Sequence, residues 1–298
     1  MADEAFYVGP SKSKESYLAI DKIIQIAKVS KADAIHPGFG FLSENENFAE
    51  QVIQNKIIWI GPKPPSIKSM GNKDIARDLA TRSNIPICPG ISDIENLNDD
   101  ELRVKCEKIG YPLLIKSSAG GGGIGMNVVQ NFKELSEAIE KTSNLAEKSF
   151  GNGKIFIEKF ITNARHIEIQ VFGFGPNGSV HLFERDCSMQ RRYQKIIEES
   201  PAPDIDRSII DSMANAAVKL STDVKYEGAG TVEFIYDIQD KKYYFLEMNT
   251  RIQVEHPVTE LVTNNDLVSM QIKFAFDRKT KFLSQKKISI YGHAIECR

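Results

Sequence analysis

Leu114-Ile115-Lys116-Ser117-Ser118-Ala119-Gly120-Gly121-Gly122-Gly123-Ile124-Gly125-Met126-Asn127-Val128-Val129 reads as a strand, a glycine loop and a second strand. It fits G-x-G-x-x-G at Gly120, Gly122 and Gly125. The dinucleotide fold, however, needs a helix to open on the last glycine. Here the β-like run Met126–Val129 follows instead. The P-loop pattern also fails, because no Gly-Lys-Ser/Thr occurs in the chain. Two readings remain. Glycines let backbone N–H groups turn onto an anion, with Lys116 adding a point charge. Alternatively the loop is a hairpin tip without a ligand. Four consecutive glycines cost chain entropy, which weighs towards the anion.

Outward from the loop, the pattern changes along the chain. Residues 1–60 alternate short strands and helices: a strand at Ala5–Val8, helices over Ser16–Val29 and Glu44–Gln54, and a strand at Ile57–Ile60. That is a small parallel-sheet unit. A helix over Asn72–Asn84 follows, and Pro86, Pro89 and Gly90 mark a boundary. A compact lobe then runs through helix Asp99–Lys108, the loop strands, helix Phe132–Lys148 and strand Ile155–Glu158. From Arg165 onward strands dominate, interrupted by the helix Arg207–Ser221, and Ile288–Cys297 reads as a last strand.

Thr231–Tyr236 and Tyr243–Glu247 flank a polar turn centred on Asp240. If the hairpin is symmetric about Asp240, Glu233 and Glu247 lie opposite each other. Like charges there are destabilising. A hard divalent cation such as Mg²⁺ would compensate; the alternative is a solvated pair out of register. Alternation continues past Glu247, with Asn249, Arg251, Gln253 and Glu255 on its parity and Met248, Thr250, Ile252 and Val254 on the other. An extended segment would show one polar face with metal ligands, a guanidinium and a general base. His256-Pro257 ends it, and His256 reads as a turn or packing residue. In Glu184–Lys195 the basic residues suit a solvated run and an anion-facing surface equally well; Cys187 reads as buried and inert.

Composition bounds these readings. The 298 residues are 41% hydrophobic and 26% charged, enough to bury a core. With 38 basic and 40 acidic residues the net charge is −2, which excludes a generally basic nucleic-acid or membrane-surface binder. No run approaches the about 18 apolar residues of a membrane span. Cys88, Cys106, Cys187 and Cys297 are scattered without a CxxC pair, so reduced intracellular thiols are expected. No signal or transit peptide is visible at the start.

Six motifs together resemble the biotin carboxylase component of biotin-dependent carboxylases, in the ATP-grasp superfamily. They are HPGFGFLSEN (His36–Asn45), the glycine loop with Lys116, RHIEIQVFG (Arg165–Gly173), ERDCSMQRRYQK (Glu184–Lys195), GAGTVEF (Gly228–Phe234) and EMNTRIQVEHPVTE (Glu247–Glu260). The resemblance covers essentially the whole chain and is strongest to the methylcrotonyl-CoA carboxylases, with the propionyl-CoA and pyruvate carboxylases near. It implies an α/β and α+β architecture: an ATP-grasp fold with a partial Rossmann-like, pre-ATP-grasp domain at the N-terminus. The expected divisions are 1–61 for that domain, 62–87 for a connecting helix, 88–160 for a lid subdomain with the glycine loop, and 161–298 for the C-terminal ATP-grasp subdomain.

The resemblance also implies roles. Lys73 and Lys116 would contact ATP phosphates, with Gly120, Gly121, Gly122 and Gly123 closing over them. Glu158, Lys159 and Ile161 would line the adenine site, and His166 and Gln190 the ribose. Glu233, Glu247 and Asn249 would hold Mg²⁺ or Mn²⁺. Arg251, Gln253 and Val254 would hold bicarbonate, Glu255 would be its base, and Lys195 would stabilise the phosphorylated intermediate. Biotin, the substrate, would arrive on a carrier domain outside this chain, which has no Met-Lys-Met segment. The biotin-stabilising arginine is expected beyond the chain's end.

Further implied are a carboxyltransferase partner subunit, an oligomer and the mitochondrial matrix. Ala119, Ile124 and Tyr193 depart from the family pattern; Ile124 removes a positive charge from the lid. The chain is expected to be a fragment lacking the family's opening strand–helix units and its closing part. Rival expectations are another ATP-grasp ligase, such as a carbamoyl-phosphate enzyme, and a nucleotide-binding chain without turnover.

Overall fold

A computed structural model describes residues 2–118, 126–192, 194–278 and 282–298. The helices are α1 Ile20–Val29, α2 Glu46–Gln54, α3 Pro64–Gly71, α4 Lys73–Arg82, α5 Asp99–Ile109, α6 Leu135–Phe150, α7 Arg207–Asp223, α8 His256–Thr263 and α9 Leu267–Phe276. The strands are β1 Ala34–Ile35, β2 Ile58–Trp59, β3 Gly90–Ile91, β4 Leu113–Ser117, β5 Asn127–Val129, β6 Ile155–Lys159, β7 Ala164–Phe174, β8 Ser179–Arg191, β9 Gln194–Ser200, β10 Glu227–Asp237, β11 Lys242–Asn249 and β12 Ala294–Cys297. They form a parallel pair β1-β2, an antiparallel sheet β3-β6-β4-β5, and a six-stranded antiparallel sheet β11-β10-β7-β8-β9-β12.

Side chains at the helix starts explain where several helices begin. Asn45 accepts from the Phe48 amide at the start of α2, and Asn72 from the Ile75 amide at the start of α4. At α5, Asn98 and Glu101 form a reciprocal capping box. The sheet β3-β6-β4-β5 packs Leu113, Ile115, Ile155 and Ile157 against Leu102, Cys106 and Leu135.

The six-stranded sheet positions the site. On β7, Ile167, Ile169 and Val171 point towards α7 and join a core with Val232 and Phe234 of β10. The opposite parity carries His166, Glu168 and Gln170, then Phe172 and Phe174. The two phenylalanines pack against Leu267, Met270 and Phe274 of α9. Fully burying such a ring contributes about 1.5–3 kcal/mol. One face of this sheet is therefore half core and half polar cleft.

Several expectations need correction. Residues 5–8 form no strand; Phe6 and Tyr7 are exposed and, among the described residues, pair with no other strand. The terminal strand shrinks to Ala294–Cys297. Residues 62–87 hold two helices, separated at Asn72, whose ψ of 114° is extended. Two helices, α8 and α9, also follow the strands, where α7 alone was expected. Ala119, Gly120, Gly121, Gly122, Gly123, Ile124 and Tyr193 lie outside the described residues. All four cysteines are free thiols. Among the described residues no helix is long and apolar enough to cross a membrane.

Candidate functional site

A cleft of about 690 Å³ opens between the two antiparallel sheets, with Phe39 and Gly40 at its rim. Lys73, Lys116, Glu158, Lys159, Ile161, His166, Gln190, Lys195, Glu233, Glu247, Asn249, Arg251, Gln253, Val254 and Glu255 all line it. Every described residue that the resemblance assigns to the site thus reaches one space.

Glu233 and Glu247 are paired across β10 and β11, as expected, but not by symmetry about Asp240: Asp237 pairs with Lys242, so the turn is centred between Gln239 and Asp240. The register slips just after them, Phe234 facing Phe245, so the pair sits at a bulge. Glu233 is buried and well supplied with donors. One oxygen accepts from Lys195 Nζ at 3.0 Å, Asn249 Nδ2 at 2.7 Å and Gln253 Nε2 at 2.7 Å. His166 Nε2 lies 2.7 Å from the other oxygen, close but off the line of a hydrogen bond. Burial opposes ionisation of Glu233, but Lys195 and His166 outweigh it and hold the carboxyl well below the usual range. Burial likewise opposes the charge on His166, and Glu233 outweighs it, raising the imidazole.

Glu247 contrasts with its neighbour. Among the described residues its carboxylate has no hydrogen-bond or ion-pair partner. Burial, then the charge of Glu233, pushes its carboxyl up, and Lys73 offsets this only in part. Burial in turn lowers the Lys73 ammonium. An unpartnered carboxyl facing an ionised one, with Asn249 beside them, fits a hard divalent cation with oxygen ligands.

Two tighter clusters of possible ligands, His166/Glu168/Glu233 and Glu168/Cys187/Glu255, lie deeper. Lys195 and Arg185 already neutralise both. The Lys195 ammonium bridges Glu168, Glu233 at 3.0 Å and Glu255 at 2.8 Å. Burial disfavours that charge, but these carboxylates overcome it and raise the ammonium well above its ordinary value. Cys187 is buried and its thiol is pushed far up, so it is inert.

Sequence reasoning missed what holds this array. Arg185 is fully buried and binds Glu168, Gln170 at 2.8 Å, Thr259 at 2.9 Å, Thr231 at 3.2 Å and Gln253 at 2.8 Å. Its planar fork fixes both the Glu168 that holds Lys195 and the Gln253 that reaches Glu233. The run Glu184–Lys195 therefore begins as buried framework. Arg298 was also missed. It binds Glu198 and lies 2.9 Å from Glu255, so the chain itself brings a guanidinium to the site, contrary to expectation.

Elsewhere the expected contacts are modified. Lys116 is ion-paired to Glu158, which also meets Arg77 at 3.3 Å. The Lys159 ammonium is taken up by the Gly110 and Tyr111 carbonyls at 3.0 and 2.9 Å. Gln190 bonds the His166 ring at 2.9 Å. The strand ends at Asn249, so Arg251, Gln253 and Glu255 converge from a turn rather than an extended face. His256 opens α8 and bonds the Gln253 carbonyl, a packing role.

Two family descriptions match the chain: "Carbamoyl-phosphate synthase L chain, ATP binding domain" over residues 72–282 and "Biotin carboxylase, N-terminal domain" over residues 1–67. Bacillus subtilis biotin carboxylase 1 is 49% identical over the whole chain and 66% of its own length. The mouse mitochondrial methylcrotonoyl-CoA carboxylase subunit alpha is 50% identical over the whole chain and 41% of its own length. The chain thus spans less than two thirds of either relative. The biotin carboxylase domain dimer of Hydrogenobacter thermophilus 2-oxoglutarate carboxylase, solved with MgADP, ADP and bicarbonate, superposes with a TM-score of 0.91 at 41% identity. That match covers all of this chain and 65% of the other. The fold is ATP-grasp, and the chain belongs to the biotin carboxylase family.

Proposed function

We propose that this chain carries out ATP-dependent carboxylation of biotin with bicarbonate, through carboxyphosphate. The observation that carries the reading is the convergence of Lys195, Glu233, Glu247, Arg251 and Glu255 on one cleft. Bicarbonate bound to the Hydrogenobacter relative supports it.

Lys73 and Lys116 contact the ATP phosphates, together with Gly120–Gly123. Glu158, Ile161 and the backbone of Lys159 line the adenine, and His166 and Gln190 the ribose. Mg²⁺ or Mn²⁺ would be held by Glu233, Glu247 and Asn249 and would supply charge neutralisation on the phosphoryl oxygens. Arg251, Gln253 and Val254 seat bicarbonate. Glu255 takes its proton as the oxygen attacks the γ-phosphorus; the new O–P bond forms, the β–γ bridge breaks, and ADP leaves. Lys195 meets the developing charge. Carboxyphosphate then breaks its C–O bond to the phosphate, giving CO₂ and inorganic phosphate. The phosphate takes the ureido N–H proton of biotin, the nitrogen forms its bond to CO₂, and Arg298 meets the charge on the deprotonated ureido group.

The finer reading is a methylcrotonyl-CoA carboxylase alpha subunit acting in leucine breakdown in the mitochondrial matrix, working with a biotin carrier domain and a carboxyltransferase subunit in an oligomer. Likeness to the mouse subunit supports it. Propionyl-CoA or pyruvate carboxylase is the alternative. The divisions 1–61, 62–87, 88–160 and 161–298 are part of the same proposal.

The test is ADP release by the purified chain with bicarbonate, with and without free biotin. Release that needs bicarbonate and rises with biotin is expected. Release indifferent to both overturns the reading.

A further inference from the structure

The loop His36–Asn45 is tied at two points, to α9 and to the turn that follows β11. At one end the His36 ring bonds Gln271 of α9 at 3.1 Å. At the other, the Glu44 carboxylate forks. One oxygen accepts from the Thr250 backbone amide at 3.0 Å, and the other from Arg251 Nε at 2.9 Å. Between them, Gly38, Gly40 and Phe41 all take left-handed φ values of 63°, 71° and 45°. Glycine adopts such values freely and phenylalanine rarely does, so surrounding contacts must hold the loop in shape.

The fork grips Arg251 twice, through the backbone just before it and through its guanidinium. Arg251 Nη2 also donates to Asn249 at 2.8 Å and Nη1 to the Ile252 carbonyl at 3.3 Å. A guanidinium has five N–H donors. Three are thereby committed, which leaves two for an anion in the cleft. Glu44 belongs to a segment more than 200 residues away in sequence and lies where β11 has ended. At that point no strand ladder fixes the backbone.

We propose that Glu44 is a positioning residue for bicarbonate: it fixes the Thr250–Arg251 turn and the direction of the Arg251 guanidinium. This rests on the reading of Arg251 as a bicarbonate ligand. Because Glu44 is anionic, an opposite effect can be imagined, in which it damps the attraction of Arg251 for anions. The variants separate the two. Glu44→Gln removes the charge and keeps one acceptor oxygen; Glu44→Ala removes both. Positioning predicts that Ala is worse than Gln. Charge damping predicts that both tighten anion binding.

The experiment measures KM for bicarbonate and for ATP in the wild-type chain and both variants, with bicarbonate binding followed separately by ¹³C NMR line width, which needs no turnover. Glu44→Ala is expected to weaken bicarbonate about tenfold, the scale of a lost charge-assisted hydrogen bond, with KM for ATP changed less than about twofold. Glu44→Gln should fall between. Equal loss for both substrates, no loss, or tighter bicarbonate binding overturns the proposal. Wild type that neither binds bicarbonate nor uses it overturns the functional reading instead. Wild type that binds it, with Glu44→Ala binding equally well, overturns this inference alone.

Discussion

Glu233 and Glu247 face each other across one hairpin, yet their carboxyls are displaced in opposite directions: Glu233 is held ionised by Lys195 and His166, and Glu247 is pushed towards its protonated form. Burial acts on both; the difference is that among the described residues no cation pairs with Glu247, and Lys73 offsets its burial only in part. A carboxyl raised above its unfolded value loses stability as pH climbs through that value, about 4.3, towards the folded one. Glu247→Gln should therefore raise metal-free stability at pH 7 by on the order of 1 kcal/mol. It should also weaken Mg²⁺ roughly tenfold or more. Thermal unfolding and calorimetric Mg²⁺ titration check the two effects, which have opposite signs for the usefulness of the protein.

Lys195 gives a pH prediction of the other sign. Burial opposes the charge on Glu168, and Lys195 and Arg185 overcome it, depressing the carboxyl. The resulting stability is present above the unfolded Glu value and lost as pH falls through the folded one. Lys195→Gln should cost about 3–5 kcal/mol at pH 7, because it leaves buried charge unpaired. The gap to wild type should narrow below about pH 4, where unfolded carboxyls protonate. Urea unfolding from pH 7 down to pH 3 measures it; a constant gap would contradict the ion-pair account.

Arg185→Lys keeps the charge and loses the fork. A lysine cannot span Glu168, Gln170, Thr231, Gln253 and Thr259 at once. A loss of about 3 kcal/mol or more is expected, with a fall in kcat, since Gln253 and Lys195 both lose their support. Urea unfolding and the ADP-release assay read the two effects.

Gly173 pairs with Gly228 across β7 and β10, where a Cβ would run into the Tyr226 carbonyl. Gly173→Ala should cost about 1–3 kcal/mol by overpacking. Amide exchange should quicken in β7 and β10 while β4 and β6 stay protected, because those strands belong to another sheet.

Period two brought Glu233 and Glu247 to the same face, but the turn centre did not fix their pairing. The hairpin turns between Gln239 and Asp240, and only the bulge at Leu246, which no sequence pattern announced, sets Glu247 opposite Glu233. The parity of Arg251, Gln253 and Glu255 grouped residues that do line one cleft although the strand had ended, for the turn keeps them on the cleft side. Buried charge was not legible. Arg185 and Glu168 look like any solvated polar residue until partners 15 to 74 positions away are brought to them. Helix α8 was missed because Pro257 read as an end, whereas proline is well suited to a helix's first turn; α3 opens on proline in the same way.

The pair β1-β2 has four residues of ladder in all, too little to stand by itself. Its order is borrowed from elsewhere: Arg278 donates to the Trp59 and Gly61 carbonyls while paired with Glu227, and Lys63 meets that same Glu227 at 2.6 Å. The same small unit carries Glu44. If Glu44 positions Arg251 as proposed, loosening the Arg278 clasp would carry through this unit to the Arg251 guanidinium, so the order of one minor sheet would bear on anion binding at a distance.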